Sequence, residues 1–343
     1  MKRADKDLAF MLQYENIAWY ETGMVKILDR RVYPNEVSYV VCENHREVAQ
    51  AITDMVTQSG GPFLAAGMGM VLAAKEGQDK KEKDFLKYMK ESAYRLSHAR
   101  PTTSEKMVNI VNELYDVAEK AAKSGKKADE EIFKRVVENT NKKYERISKT
   151  GKHLVDKFPE KGAVMTQCFG ETVVGFMVYE CQKNNKDIKF FCPETRPYLQ
   201  GARLTASVIK DMDGDVTVIT DNMPGYVMKK QNIDVFTSAA DVITLDGNVV
   251  NKIGTFQIAL SANYYGVPYL VTGAPDKKHP NIDSVNIEER DPEFVLHAMG
   301  RRTAMKGVKG YYPAFDITPP SMVNGVVTEK GIYSSFDLES YFK

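Results

Sequence analysis

Two side chains suited to proton transfer follow apolar runs of the chain. Cys168 comes after GAVMTQ and Asp241 after VFTSAA. Such runs are typical of buried strands, so a thiol and a carboxylate are each expected near a strand end. A helix is predicted shortly after Cys168, and its dipole would bring the thiol pKa below the free value of ~8.5. Position alone leaves a buried apolar cysteine and a turn aspartate as open alternatives.

Other residues suit the binding of a phosphate group. Asn251 and Lys252 precede a predicted helix, where an amide, a cation and main-chain N–H groups together hold an anion. Arg100, at the end of a helical run, suits a charge-assisted clamp. A glycine turn can bring its backbone close to an anion; its candidate contacts are Ser59, Gly60 and Gly61. An ordinary surface lysine, a surface arginine and a plain turn are the alternatives.

Composition and missing motifs exclude several classes of protein. The 343 residues carry a net charge of +1, which gives no bulk reason to bind nucleic acid or an anionic membrane. The four cysteines form no CxxC pair, and no histidine cluster has zinc spacing. No dinucleotide or Walker motif follows a strand. The sequence therefore predicts a cytoplasmic protein without signal peptide, membrane span, metal or organic cofactor.

The elements that would position these residues differ between the two halves of the chain. Residues 14–42 predict short strands, and residues 45–150 are typical of amphipathic helices. From GAVMTQC at 162–168 onward, apolar strands alternate with helices, which indicates βαβ units and a mostly parallel sheet. We expect a mainly helical N-terminal domain with a small β-sheet over 1–155 and a Rossmann-like catalytic domain over 156–343.

This topology predicts where a ligand would bind. Ligands of open parallel sheets lie beyond the carboxyl ends of the strands. The residues directly after the predicted strands are rich in Cys, Asp, Glu, Asn, Arg and Gly, and stability alone does not require such residues there. These segments, called the strand tips below, are residues 168–172, 193–197, 221–223, 240–241 and 273–275.

Several longer segments resemble the methylthioribose-1-phosphate isomerase family. The similarity extends over nearly the whole chain, and it is strongest between residues 160 and 330. The segments that carry it are LDRRVYPNE (28–36), HARPTT (98–103), ETRPYLQGARLTA (194–206), ITDNM (219–223), AAD (239–241), GNVVNKIGTFQIALSANYYGVPYLVTGAP (247–275) and FDITPP (315–320).

The resemblance implies an enzyme and assigns roles to residues. The family's catalytic cysteine and aspartate fall on Cys168 and Asp241. Its substrate contacts fall on the 59–61 turn, Arg100, Gln200, Asn251 and Lys252. The implied activity is aldose–ketose isomerisation of 5-methylthioribose 1-phosphate to the ribulose 1-phosphate, a methionine-salvage reaction without cofactor, in a homodimer. The superfamily also contains 5-deoxyribose-1-phosphate and ribose-1,5-bisphosphate isomerases, and regulatory subunits of a translation-initiation exchange factor, which generally lack the Cys/Asp pair.

One loop departs from the family pattern. Isomerases of the family usually carry Arg-Gly-Ala-Pro where this chain has Ser59-Gly60-Gly61-Pro62. The glycine and the proline remain, whereas the arginine is replaced by serine. Loss of one arginine–phosphate pair costs ~1.5–3 kcal/mol unless another base replaces it. The serine in this loop could therefore change which substrate the chain prefers, and the sequence does not show which base replaces the arginine.

Overall fold

A computed structural model describes residues 3–99 and 104–343, except for the side chains of residues 104–106. The chain divides into two compact units, Met1–Glu145 and Arg146–Lys343. The expected α/β architecture, with helices first and a mainly parallel sheet afterwards, is confirmed. The domain boundary expected after residue 155 coincides with the end of a long helix, Ala128–Val155, which spans the division between the units.

The first unit combines a small antiparallel sheet with long helices. Asn44 shows how local sequence starts a helix here: its side chain accepts the N–H groups of Arg46 and Glu47, while Glu47 accepts the N–H of Glu43. The sheet has the order β1-β2-β3. The elements are β1 Ala18–Glu21, β2 Met24–Leu28, β3 Tyr39–Cys42, α1 His45–Thr53, α2 Gly61–Glu76, α3 Glu82–Ser97, α4 Ser104–Lys123 and α5 Ala128–Val155.

The second unit is built around a seven-stranded sheet in the order β15-β14-β10-β7-β4-β5-β6. Its pairs are parallel except β14–β15. The strands are β4 Lys161–Met165, β5 Asp187–Pro193, β6 Asp215–Ile219, β7 Val235–Ala239, β10 Tyr269–Thr272, β14 Gly325–Thr328 and β15 Gly331–Tyr333. The intervening helices are α6 Thr172–Lys183, α7 Ala206–Asp211, α8 Pro224–Lys230, α9 Thr255–Tyr265 and α10 Glu293–Leu296.

A second, antiparallel sheet was not expected from the sequence. It contains β8 Val242–Ile243, β9 Val249–Lys252 and β13 Phe315–Thr318, in the order β13-β9-β8. A short hairpin, β11 His297–Ala298 and β12 Arg301–Arg302, lies between β10 and β13 in the chain. Asn251 and Lys252 precede helix α9, as expected, but they belong to β9 and pair with β13. Such short strands give little periodic signal.

Candidate functional site

Cys168 and Asp241 follow two neighbouring strands at the topological switch point of the large sheet. The chain runs from β4 outward through β5 to β6 and then returns to β7 on the other side of β4. Strands β4 and β7 are parallel and adjacent, with Met165 opposite Phe236. Ligands of open α/β sheets bind beyond the carboxyl ends of the strands at such a switch point. The two sequence-predicted residues therefore flank the same crevice, and the charge of Asp241 acts on the thiol of Cys168.

The main chain of Cys168 is held in an unusual conformation. Its φ is 57°, and residues other than glycine pay about 1–3 kcal/mol in this region. Its N–H donates to Thr195 Oγ1 over 3.2 Å, and its carbonyl accepts a hydrogen bond from the Thr205 hydroxyl. Further non-glycine residues with positive φ surround it in the adjoining tips: Glu171, Thr195 and Leu199. The loops after β4 and β5 are thus locked together, which fixes the position of the thiol.

A close main-chain approach supports the loop after β5. A Cβ atom on Gly201 would lie only 1.8 Å from the carbonyl oxygen of Pro193, so any other residue at this position displaces the backbone. Gln200, the preceding residue, is 7% exposed, and its Oε1 has no hydrogen-bond partner among the described residues. A buried amide oxygen without a donor is rare in folded proteins, and it is suited to accept a ligand hydroxyl.

The expectation of a low pKa for the Cys168 thiol is wrong. Burial raises the pKa to about 11, Lys252 lowers it, and Asp241 raises it further. The desolvation of a thiolate outweighs the helix dipole here, since α6 begins only at Thr172, four residues after the cysteine. The residue is partly exposed to the crevice, and at neutral pH its thiol is protonated.

Asp241 lies at the tip after β7 and is exposed. Its main-chain N–H donates to the carbonyl of Val250 in β9, which ties the tip after β7 to the small sheet. That link brings Lys252, at the end of β9, into the electrostatic field of both Cys168 and Asp241.

Lys252 is the buried cation of this crevice. It is 5% exposed, and its Nζ lies 4.3 Å from the centre of the Phe315 ring. Burial lowers its pKa, whereas the negative charge that Cys168 and Asp241 can carry raises it. Among described residues no hydrogen bond or ion pair engages the Nζ of Lys252, so the ammonium group is suited to an anionic ligand.

The side chain of Asn251 has a different role from that of Lys252. Successive side chains of a strand point to opposite faces, and the Asn251 amide donates to Thr255 Oγ1 over 3.1 Å. The Thr255 hydroxyl in turn donates to the carbonyl of Lys252 over 2.7 Å. Asn251 therefore holds the first turn of α9 against β9.

The 59–61 turn and Arg100 complete the sequence-predicted contacts. Ser59, Gly60 and Gly61 belong to the first unit, where they form the start of α2. Arg100 lies outside the described residues.

Sequence reasoning missed Arg290. Its guanidinium pairs with Glu288 over 2.9 Å and lies 5.8 Å and 5.7 Å from the ring centres of Tyr198 and Phe315. Its charge acts on both Cys168 and Lys252. It comes from an irregular segment without periodicity, so its only sequence signal was a charged run, IEERDP.

Asp316 was part of a quoted motif, FDITPP, but received no role. Its Oδ2 accepts the N–H groups of Gly254 and Phe256 over 2.7 Å and 3.1 Å, which caps the start of α9. Its Oδ1 is buried and has no hydrogen-bond partner within the described ranges. Burial raises the pKa of Asp316 to about 6. The carboxyl group thus joins the start of α9 to β13, the strand that pairs with β9.

A pocket that is partly open to solvent adjoins Cys168. Part of its wall is apolar, from the end of α5 and from α6, and part carries hydroxyl groups from the strand tips. The lining residues are Leu154, Thr166, Gln167, Cys168, Gly170, Val173, Val174, Met177, Thr205, Thr237, Ser238, Ala239 and Thr272.

In the described part of the chain, no group of three or more His, Cys, Asp or Glu side chains is placed to hold a metal ion. Nor is any described helix long and apolar enough to cross a membrane.

Comparison with known proteins identifies the family. Residues 62–335 match the model of the initiation factor 2 subunit family. The chain belongs to this family. Among curated members, methylthioribose-1-phosphate isomerase 1 of Pseudothermotoga lettingae is 36% identical over 94% of this chain and 96% of its own length. Methylthioribose-1-phosphate isomerase of Thermotoga maritima is 35% identical over 94% and 95%.

Solved structures of an isomerase and of a translation-initiation-factor subunit both share the fold of this chain. The 5-methylthioribose 1-phosphate isomerase of Pyrococcus horikoshii OT3 superimposes with a TM-score of 0.86 at 28% identity, covering 98% of this chain and 97% of that one. The delta subunit of translation initiation factor eIF-2B from A. fulgidus gives a TM-score of 0.83 at 28% identity, covering 92% and 95%. Fold alone therefore does not separate isomerases from regulatory subunits within the family.

Proposed function

We propose that this chain is an aldose–ketose isomerase that converts 5-methylthioribose 1-phosphate to 5-methylthioribulose 1-phosphate. The observation that carries the proposal is the placement of Cys168 and Asp241 at one switch point, with the buried ammonium of Lys252 acting on both. The isomerases of Pseudothermotoga lettingae and Thermotoga maritima, about one-third identical over nearly the whole chain, support it.

The chemistry explains why an acid and a second polar group are needed. A phosphate on the anomeric carbon prevents the sugar from opening to a free aldehyde, so the ring oxygen must first accept a proton. Asp241 supplies that proton. A hydrogen then moves from C2 to C1, as a proton through an enediol-type intermediate or as a hydride. The C2 hydroxyl gives up its proton as the new carbonyl forms, and this proton restores Asp241, so that the overall reaction neither gains nor loses atoms.

Cys168 acts beside this shuttle as a base or as a stabiliser of charge. Because burial raises the pKa of its thiol to about 11, the second role is favoured. A neutral S–H donates a weak hydrogen bond to an oxygen on which negative charge develops. Lys252 binds the phosphate, and the Oε1 of Gln200 accepts a sugar hydroxyl.

A side-by-side turnover assay tests the proposal. We expect conversion of 5-methylthioribose 1-phosphate, with slower or no conversion of 5-deoxyribose 1-phosphate and ribose 1,5-bisphosphate. If 5-deoxyribose 1-phosphate or ribose 1,5-bisphosphate is converted faster, the chain is an isomerase with that compound as its substrate. Absence of turnover on all three sugar phosphates would refute an isomerase and favour a regulatory subunit. Solvent deuterium at C1 of the product distinguishes proton transfer from hydride transfer.

We also propose a cytoplasmic homodimer. Four reduced cysteines suit a reducing compartment. Helices α8 and α9 pack together and expose large apolar side chains, among them Tyr226 at 71% and Tyr264 at 81%. A second copy covering this face would bury them. Light scattering after size exclusion measures the mass of the protein in solution. The double variant Tyr226→Glu, Tyr264→Glu is expected to be monomeric. If this variant remains a dimer, the interface does not lie on the α8–α9 face.

A further inference from the structure

Gln167, the residue directly before Cys168, lies where three segments of the second unit meet. It follows β4 and is 3% exposed. Its Nε2 donates to the carbonyl of Ile253 over 3.3 Å, and its Oε1 accepts the hydroxyl of Thr195 over 3.4 Å. One buried side chain thus joins the strand tips after β4 and β5 to the turn between β9 and α9.

The partners of Gln167 determine the orientation of its amide. A main-chain carbonyl only accepts, so it faces the Nε2 of Gln167, and the Oε1 then faces the Thr195 hydroxyl. The proton of this hydroxyl has a second acceptor, the carbonyl of Pro193 at 3.2 Å, and the same oxygen receives the N–H of Cys168 over 3.2 Å. The side chain of Thr195 therefore links Gln167 to the main chain of Cys168.

Each of the three segments contains a residue in the left-handed region. The φ angle is 57° at Cys168, 64° at Thr195 and 102° at Gly254. Threonine is β-branched and rarely adopts a positive φ, and such conformations persist only where surrounding contacts hold them. Gln167 precedes the first residue and bonds to the second, and its Nε2 lies 3.2 Å from the position that a Cβ atom on Gly254 would take.

Asp221, in the strand tip after β6, connects the same segments by a second route. Its carboxylate accepts the N–H groups of Thr195 and Arg196 over 2.8 Å and 2.6 Å. Its main-chain carbonyl accepts the Nε2 of Gln257, in the first turn of α9, over 2.9 Å. The contacts of Gln167 and Asp221 together close a ring that runs through the tips after β4, β5 and β6 and through the start of α9.

This ring carries both Cys168 and Lys252. Cys168 directly follows Gln167, and Lys252 directly precedes Ile253, the residue whose carbonyl Gln167 binds. The interaction of two charges depends on their separation, so a contact that joins these two segments controls how strongly the cation acts on the thiol.

We propose that Gln167 is a positioning residue, which sets the separation between the thiol of Cys168 and the ammonium group of Lys252. The inference rests on the proposed function for the use of these two groups in turnover. It deepens that function by assigning a role to a buried amide that acts through the segments it joins.

Alkylation of the Cys168 thiol by iodoacetamide at pH 8–9, followed by peptide mass spectrometry, tests this role without turnover. Lys252 lowers the pKa of the thiol, so Lys252→Met slows alkylation by a measurable factor. We expect this factor to shrink by about twofold or more in the Gln167→Met background, because members of one hydrogen-bond network are energetically coupled. Gln182→Met removes another glutamine bond to a main-chain carbonyl, that of Met212, and should leave the factor unchanged.

Turnover gives a second measurement. Gln167→Met is expected to lower kcat/KM for 5-methylthioribose 1-phosphate by about 10- to 100-fold, the effect of displacing a reacting group by about 1 Å. Gln182→Met should retain normal kcat/KM, and circular dichroism checks the folding of both variants.

A pair of variants at Thr195 keeps the test independent of how Gln167→Met folds. Thr195→Val removes the hydroxyl that Gln167 accepts, whereas Thr195→Ser keeps it. We expect the alkylation factor to shrink in Thr195→Val and to remain close to the wild-type value in Thr195→Ser.

The outcomes separate this inference from the proposed function. An unchanged alkylation factor in a folded Gln167→Met overturns the inference; if that variant does not fold, equal factors in Thr195→Val and Thr195→Ser overturn it. No effect of Lys252→Met in the otherwise wild-type chain also overturns it, because there is then no coupling to set. If no sugar phosphate is converted but the factors follow the expected pattern, the proposed function fails and the positioning role stands.

Discussion

Lys252 lies directly opposite Phe315 in the β9–β13 ladder, and its Nζ is 4.3 Å from the centre of that ring. The aromatic face stabilises a cation that burial destabilises. Among the described residues no carboxylate forms an ion pair with the Nζ of Lys252, so an anionic substrate meets no such competitor there.

Lys252→Met is expected to raise the KM for the sugar phosphate by about 10- to 100-fold, because one charged hydrogen bond is lost. It should also slow alkylation of the Cys168 thiol by iodoacetamide at pH 8–9, because Lys252 lowers the pKa of that thiol. Lys230→Met, which changes an exposed lysine at the end of α8, is the control. An unchanged KM in Lys252→Met would contradict a phosphate-binding role.

Asp241→Asn is expected to reduce kcat by about 10²- to 10⁴-fold, the usual contribution of a general acid. Folding should be preserved, since the side chain is exposed, and circular dichroism checks it. Asp283→Asn, at another exposed aspartate, should retain normal turnover. Normal turnover in Asp241→Asn would refute the assignment of the proton shuttle.

Asp316 is expected to make stability depend on pH. Burial raises its pKa from 3.8 to about 6, so the folded chain holds this proton more tightly than the unfolded chain. Its contribution to the free energy of unfolding is full below about pH 3.8 and is lost as the pH rises through about 6. Asp316→Asn keeps an oxygen to accept the N–H groups of Gly254 and Phe256 and removes the titration.

Chemical denaturation between pH 3.5 and 7 compares this variant with the wild type. As the pH rises across this range, the free energy of unfolding of the wild type is expected to fall by up to about 3 kcal/mol relative to that of Asp316→Asn. This magnitude corresponds to a shift of about two pKa units. Asp283→Asn should follow the wild type at every pH. Parallel curves for wild type and Asp316→Asn would show that Asp316 does not titrate as expected.

Gly201→Ala is expected to destabilise the loop after β5, because the new Cβ would meet the carbonyl oxygen of Pro193 at 1.8 Å. We expect a loss of about 1–3 kcal/mol in the free energy of unfolding and a matching fall in kcat/KM, since Thr195 in this loop holds the main chain of Cys168. Gly225→Ala, in α8, meets only Ser261 Oγ at 3.3 Å and should be tolerated. Equal stability of the two variants would argue against the tight approach.

Much of the second unit follows from local sequence. Apolar runs of strand length alternate with helical repeats from residue 162 onward, and each predicted strand of that series is present in the large sheet. Cys168 and Asp241 were found from the same rule, because the carboxyl ends of parallel strands share one edge. The β8–β9–β13 sheet was missed, since its strands are only two to four residues long and β9 pairs with β13 across more than sixty residues of chain.

By itself, then, the sequence determined the type of fold, the strand ends that carry Cys168 and Asp241, and the family motifs. Only the tertiary structure decided that β4 and β7 are neighbours and that Lys252 is a buried strand residue. The physical reason is that periodicity records which face of an element is buried, whereas strand order, desolvation and the field of a buried charge depend on segments far apart in the chain. The Cys168 pKa, raised by burial against the expected helix effect, is the clearest instance.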